Sequence, residues 1–598
     1  GTINFTGTPN TSSAITLENG AQVNALIGGS SYLAMVAPRI VQNGTIQVDG
    51  SAALVGAEVA DITMGGPGGL FDITVSTGTG DANGVVHGEL GTTTGPASGG
   101  SSDPQRIYMM AIPKNTAISM LINGNVGYTP AATAVLQNGE VILSAGYDIA
   151  NGSVDVGEHA NPVNAVPANL TIGETSTQST SFTSSVLARA SGNLLASPGA
   201  AVNGLSLLGF SGSAFLFGDT SSVVEASNNT EIVGVGGDLL VSSRRGGLGG
   251  NAAVRAIGGL IGVGGDLTVD ASSLGFSGQS SGISFANPNG GNGRGGNASI
   301  NVANGDLQIN GATQVLARGI GGYGTQTMGT GFGGNATINL SGTAANAAFA
   351  GGLSALGGGY GILSYLSLFD VNLDSPNAVT GGSGVGGSAS VIIDDINLLT
   401  LPNLTVNASG NGDFGGTELA GRGANGGDGT GGIASLTLNN EALVLPGLVV
   451  NAAGVGGNGG RSDDPAQAAG NGGTGTGGTA NIILTGTASF SPTASFPGAM
   501  AAIATGRGGV GGDAAFDSIL DSGSGGAGTG GTARISIGGA SQVDVGTIGV
   551  FAGATSGNVG AGSPNFGGTG IVTGGNASIA INTSSTVAAD FITVSANA

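Results

Sequence analysis

Gly-Gly-Asn-Ala-Ser-Ile-Asn-Val, residues 295–302, is the stretch that decides the fold. Behind its two glycines, Ala298, Ile300 and Val302 alternate with Ser299 and Asn301. An apolar residue at every second position marks a strand with one buried face. The same grammar, Gly-Gly-x-Ala-x-aliphatic-x-(Ala or aliphatic), starts again at Gly249, Gly333, Gly386, Gly431, Gly477, Gly530 and Gly574. By subtraction, successive starts lie 46, 38, 53, 45, 46, 53 and 44 residues apart. Such a unit cannot bury its apolar row alone, so it must stack on its copies.

A second strand follows, usually 14 or 15 residues after the alanine, as in Leu404-x-Val406-x-Ala408-x-Gly410 and Leu448-x-Val450-x-Ala452-x-Gly454. Its inward residues shrink toward the end, which suits a wall narrowing into a corner. A short apolar piece such as Val543-x-Val545 lies between the two strands, and a glycine-rich excursion follows, for example Gly454 to Gly478. Strand, corner, strand, corner, strand and excursion predict an all-β, elongated parallel β-helix or solenoid, one three-sided coil per repeat, with the glycine segments looped out on a common side. Ala298, Ile300, Ile338, Leu340, Ile482, Leu484, Ile535 and Ile579 are the expected inward row. A propeller would want four strands and recurrent aromatics per blade, and collagen would want glycine at every third position throughout. Three sections are expected: a strand-rich 1–165 without the repeat, transitional coils over 166–248, and glycine-rich repeats over 249–598.

Glycine accounts for 124 of the 598 residues and charged residues for only 8%, with a net charge of −22. Disordered chains combine high charge with low hydrophobicity, whereas 39% of this chain is hydrophobic. Cations are scattered apart from Arg244 and Arg245, which are expected in a solvated turn, so no nucleic-acid partner is expected. The absence of cysteine excludes disulfides and thiolate metal sites and suits a chain exported unfolded. No apolar run reaches membrane-spanning length, and because residue 1 is glycine an N-terminal segment, with any signal peptide, is expected to have been removed or left out.

The stretch Ser31 to Met64, SYLAMVAPRIVQNGTIQVDGSAALVGAEVADITM, resembles the haemagglutinin-like exoproteins of bacterial two-partner secretion, the filamentous-haemagglutinin-like β-helix adhesins. Val36-Ala37-Pro38, Asn43-Gly44, Ile46, Val48 and Gly50 carry the match, which covers about the first 150 residues. The resemblance implies a right-handed β-helix, export through an outer-membrane secretion partner, and a role in adhesion, aggregation or biofilm. The sequence departs from that family in lacking the usual beginning of its secretion domain and in the glycine content of its repeats.

No catalytic, cofactor-binding or metal-binding residue is predicted. Glycan-cleaving β-helices need carboxylates converging on one groove, but adjacent Asp394 and Asp395 on a strand would point apart, and a turn is expected there. His87 and His159 are expected in solvated loops. Asp413, Asp428, Asp464 and Asp513 sit in glycine-rich loops without the nine-residue tandems of calcium-binding repeats, and are expected to be solvated, with calcium as the alternative. GVGGDL, from Gly262 to Leu267, lacks the lysine and helix of a phosphate loop. Asn297, Asn335 and Asn576 share a repeat position that predicts an asparagine turn or ladder, with glycosylation as the alternative. Tyr323 and Tyr360 are expected to pack in their glycine loops rather than meet a ligand.

These readings converge on a secreted structural or adhesive surface protein, not an enzyme, located extracellularly or at the cell surface. A carbohydrate-active β-helix enzyme and the stalk of a contact-dependent toxin exoprotein are the alternatives. The chain opens and closes in strand-like segments, Thr2-Ile3-Asn4-Phe5 and Ile592-x-Val594-x-Ala596. Head-to-tail association into a filament is expected if those ends are native, and cut points in a longer chain if they are not. A cell-surface or carbohydrate receptor is a further expected partner.

Overall fold

The computed structural model describes residues 1–598 except 11, 27–30, 65–69, 97–104, 130–138, 158–159, 175, 201–203, 277–288, 325, 363–378, 417–421, 493–497, 516–519 and 563–566. Three parallel ladders run along one axis and enclose a single apolar core. The first stacks 15 strands from Ala14–Leu17 to Asn576–Ile581 and contains every Gly-Gly-x-Ala strand. The second begins at Gln22–Ala25 and stacks 11 strands to Leu398–Thr400. The third runs from Leu33–Ala37 to Thr586–Ser595 and contains the strands that narrow to alanine. In the last coils the second and third sides merge, because Gln542–Phe551 runs straight through the corner and pairs with both Ser489–Ser491 and Ala499–Ile503.

One repeat is one coil. Ile433–Asn439 is the direct hydrogen-bonded neighbour of Thr479–Thr485, with Leu436 opposite Ile482 and Leu438 opposite Leu484. The inward row is as expected: Ala298, Ile300, Ile338, Leu340, Ile482, Leu484 and Ile535 are buried, and Ile579 in the final coil is half-buried against the same core. Ladder pairing passes through residues 165 and 248 without a break, since Ile118–Ile122 pairs with Ala168–Ile172 and Ser221–Ser227 with Asn251–Ile257.

The first coils carry a cover that the sequence pattern did not announce. Ala52–Met64 is parallel to its solenoid neighbours up to Gly56, then turns antiparallel and pairs with Thr2–Thr6 and Phe71–Gly78. A second apolar cluster, including Phe71, Ile73, Tyr108 and Ile142, fills the space between this cover and the outer surface of the third side. Strands buried on both surfaces read as continuous apolar runs, and Ile-Tyr-Met-Met-Ala, residues 107–111, is one of them.

Candidate functional surface

The described residues of the glycine excursions are not loose loops. They leave and re-enter the solenoid as two layers that form an ordered fin. The outgoing layer includes Gly410–Asn411, Gly454–Val455 and Gly506–Arg507, and the returning layer includes Gly429–Thr430, Gly475–Thr476 and Gly528–Thr529. Each layer is hydrogen-bonded from coil to coil, as in Gly456 N–H to the Arg507 carbonyl (2.8 Å) and Gly475 N–H to the Ala527 carbonyl (2.9 Å). Every third residue instead donates across to the other layer. One such zigzag runs from Gly427 through Gly457, Gly473, Gly509 and Gly526 to Gly557, with N···O distances of 2.8–2.9 Å. A parallel zigzag three residues further out joins Ala424, Gly460, Gly470, Gly512, Gly523 and Gly560.

A period of three, donors turning in successive directions, and no left-handed φ among these glycines describe an extended three-residue helix of the polyproline II type. Such a helix has no internal hydrogen bonds, so its stability must come from neighbours. Glycine is required by contact rather than by backbone angle. A Cβ on Gly473 would lie 2.0 Å from the Gly427 carbonyl oxygen, and one on Gly526 1.9 Å from that of Gly473.

The third N–H of each turn faces outward, and side chains of the preceding coil accept it. Asn458 Oδ1 takes Val510 N–H (2.9 Å), Asp428 Oδ1 takes Thr474 N–H (2.7 Å), and Asp513 Oδ1 takes Ala561 N–H (2.7 Å). Asn425 and Asn471 act likewise on Asn471 and Ser524. Asp428 and Asp513 are exposed, as expected, yet each is committed to the neighbouring coil. Asp464 accepts the N–H of Ala466 in its own turn.

Asp413 departs from the expectation of a solvated loop, for it is fully buried. It stands where later coils have Gly457 and Gly509, within the zigzag: its N–H donates to Gly382 and its carbonyl accepts from Gly427. Its carboxyl group lies over Gly361, whose missing side chain makes the room. Aligning the repeats on the glycine period rather than on the strand motif would have revealed this substitution.

His87 also departs from the solvated reading. It ends the strand Val85–His87, fully buried, with Nδ1–H donating to the Asn123 carbonyl (2.6 Å) and Nε2 near Thr93 Oγ1 (3.1 Å). Burial pulls its pKa down to about 4, against the raising effect of the Asn123 carbonyl, so the neutral ring is the folded form at pH 7. His159 lies outside the described residues.

Arg244 and Arg245 form a tight hairpin with Leu248–Gly249, but they are not free cations. Arg244 lies 3.5 Å from Asp270 and Arg245 3.7 Å from Asp219. Asp219 in turn holds the buried Arg189 at 2.7 Å and accepts the Tyr147 hydroxyl at 2.6 Å. Burial raises the Asp219 carboxyl group, and Arg189 beside it works the other way. This cluster ties successive coils of the third side to one another, and nothing in the sequence spacing pointed to it.

The remaining candidates serve the stacking. Asp394 ends a strand and accepts Asn439 Nδ2 (2.6 Å), while Asp395 takes the turn that follows, with φ of 50°. Of the expected ladder, Asn297 and Asn335 are joined, Asn335 Nδ2 donating to Asn297 Oδ1 at 2.9 Å, and Asn297 Nδ2 extends it to Asn251 Oδ1 at 2.9 Å; Asn576 instead opens its strand opposite Thr532. Gly262 to Leu267 is a corner where Asp266 accepts Ala312 N–H (2.7 Å). Tyr360 packs in its loop, 7% exposed, and Tyr323 is half-buried.

Fold and surface together define a parallel β-solenoid with a glycine fin. No protein-family model matches the chain, and no curated protein and no solved structure shows significant similarity to it. Among the described residues, no helix is long and apolar enough to cross a membrane.

Proposed function

We propose that this chain is a secreted structural or adhesive surface protein, without catalytic activity, that acts in attachment, aggregation or biofilm. The observation that supports this reading best is how the polar side chains are used. Asn and Asp along the fin and the sides bind the next coil's backbone or amide, so sequence variety is spent on a continuous stiff rod. The resemblance of residues 31–64 to haemagglutinin-like exoproteins agrees with it and adds an outer-membrane secretion partner and a cell-surface or carbohydrate receptor. End-to-end self-association belongs to the same reading.

Deleting the coding segment in the producing cells should abolish surface rods or filaments in negative-stain images and reduce cell–cell aggregation. Unchanged aggregation, together with cleavage of acidic polysaccharides by the purified chain, would instead establish the enzymatic alternative.

A further inference from the structure

Lys114, the only lysine of the sequence, is held between two other side chains. Its own N–H donates to the Thr79 carbonyl at 2.9 Å, which fixes its backbone on the coil. Its ammonium donates to Glu58 Oε2 at 2.7 Å and to the side-chain Oδ1 of Asn10 at 2.9 Å. Glu58 is 4% exposed and sits where Ala52–Met64 leaves the solenoid for the antiparallel cover. The register slips there, and a bulge re-aims the side chain toward Lys114. Asn10 is fastened from the other side. Its N–H donates to Glu58 Oε1 (3.2 Å), Gly7 N–H donates to the Glu58 carbonyl (2.9 Å), and its φ is 60°. An apolar cavity lined in part by Phe5, Ile15, Val36 and Pro38 opens beside Glu58.

An amine, a primary carboxamide and a carboxylate, brought from positions 114, 10 and 58, are the two reactants and the proton carrier of a transamidation. We propose that Lys114 and Asn10 join in an intramolecular isopeptide bond, with Glu58 moving the protons. Glu58 first takes a proton from the ammonium, which leaves a lone pair on Nζ. Nζ attacks Cγ of Asn10, and the tetrahedral carbon then expels Nδ2 as its C–N bond breaks. Two protons leave Nζ in all. The first passes through Glu58 to solvent and the second is carried to Nδ2, so the leaving group departs as ammonia. No oxidant, reductant or cofactor enters the step. Holding the groups in contact makes the reaction unimolecular, which is where most of its rate would come from. The product ties the strand Thr2–Thr6 and the cover to a coil 104 residues away.

The test uses the full folded chain. Its intact mass should fall below the sequence mass by one ammonia, about 17 Da, and digestion should yield one branched peptide containing Asn10 and Lys114. Lys114 is the only lysine of the sequence. An amine-reactive reagent applied after denaturation should therefore leave the Lys114 side chain unlabelled in the wild type and label it in Glu58→Gln and Asn10→Ala. Asn10→Ala keeps the Glu58–Lys114 ion pair, so its Lys114 label does not depend on how Glu58→Gln folds. A wild-type chain that keeps its full mass after prolonged incubation, or whose Lys114 is labelled, overturns the proposal. So does an ammonia loss that maps to a succinimide at an Asn-Gly pair.

Discussion

The solenoid core and the glycine fin belong to the same coils and are held together in opposite ways. In the core, stacked Ile, Leu, Val and Ala side chains exclude water, and the ladders close around them. In the fin there are almost no side chains between the layers, and carbonyl oxygens approach glycine α-carbons directly. The core depends on volume and polarity; the fin depends on the absence of a single carbon atom. A glycine-rich segment can therefore be as specific as an apolar one, because each position is fixed by a backbone contact on a neighbouring coil.

The core should fail most severely when a charge enters it. Ile535→Asp buries an unpaired carboxylate and should cost more than about 3 kcal/mol, removing the cooperative thermal transition. Near-wild-type melting in that variant would break the distinction between the two regions at once. A polar group that the core already contains gives the next largest effect. The folded pKa of His87 lies below its unfolded value, 6.5 against about 4, so the unfolded chain binds the extra proton between those values. Stability from this group is complete above pH 6.5 and is lost as pH falls toward 4, by up to about 3 kcal/mol. His87→Gln should lessen the difference in melting temperature between pH 7 and pH 4, and an unchanged difference would show that other groups dominate.

In the fin, Gly473→Ala should cost about 2 kcal/mol through overpacking against the Gly427 carbonyl. Hydrogen exchange should accelerate at the Gly473 and Gly509 amides, while amides of Thr479–Thr485 stay protected. Removing one outward acceptor should cost less: Asp428→Ala frees the N–H and hydroxyl of Thr474 and should lower stability by about 1 kcal/mol. Smallest of all, Gly262→Ala should change stability by less than about 0.5 kcal/mol, because nothing lies within 4 Å of its would-be Cβ. If the two glycine variants behave alike, close contact is not what the fin requires.

The period-two motif disclosed the strand, its inward face and the one-coil repeat, because a solenoid writes the same local pattern in every turn. The fin was legible only as composition. Its period of three is present in Gly-Gly-Asn-Gly-Gly, residues 456–460, but the hydrogen bonds that give it meaning run between residues tens of positions apart. For that reason Asp413 and His87 were misplaced: each occupies a position defined by the neighbouring coil rather than by its own segment. The antiparallel cover, and with it the Lys114–Glu58–Asn10 cluster, depends on a single strand changing partner at Ala57, which no periodicity marks.

Because each repeat is one turn of the stack, the molecule has a defined response to mechanical tension. Pulled by its ends, it would lengthen by peeling one coil at a time, each event in the repeats from Gly249 on releasing about 46 residues, or roughly 160 Å of chain. Coils bearing the fin must break the cross-layer bonds as well as the ladders, so they would yield at higher force than the coils between the antiparallel cover and the fin. A force–extension record would then show two plateaus, with the weaker stretch acting as a shock absorber for the stronger.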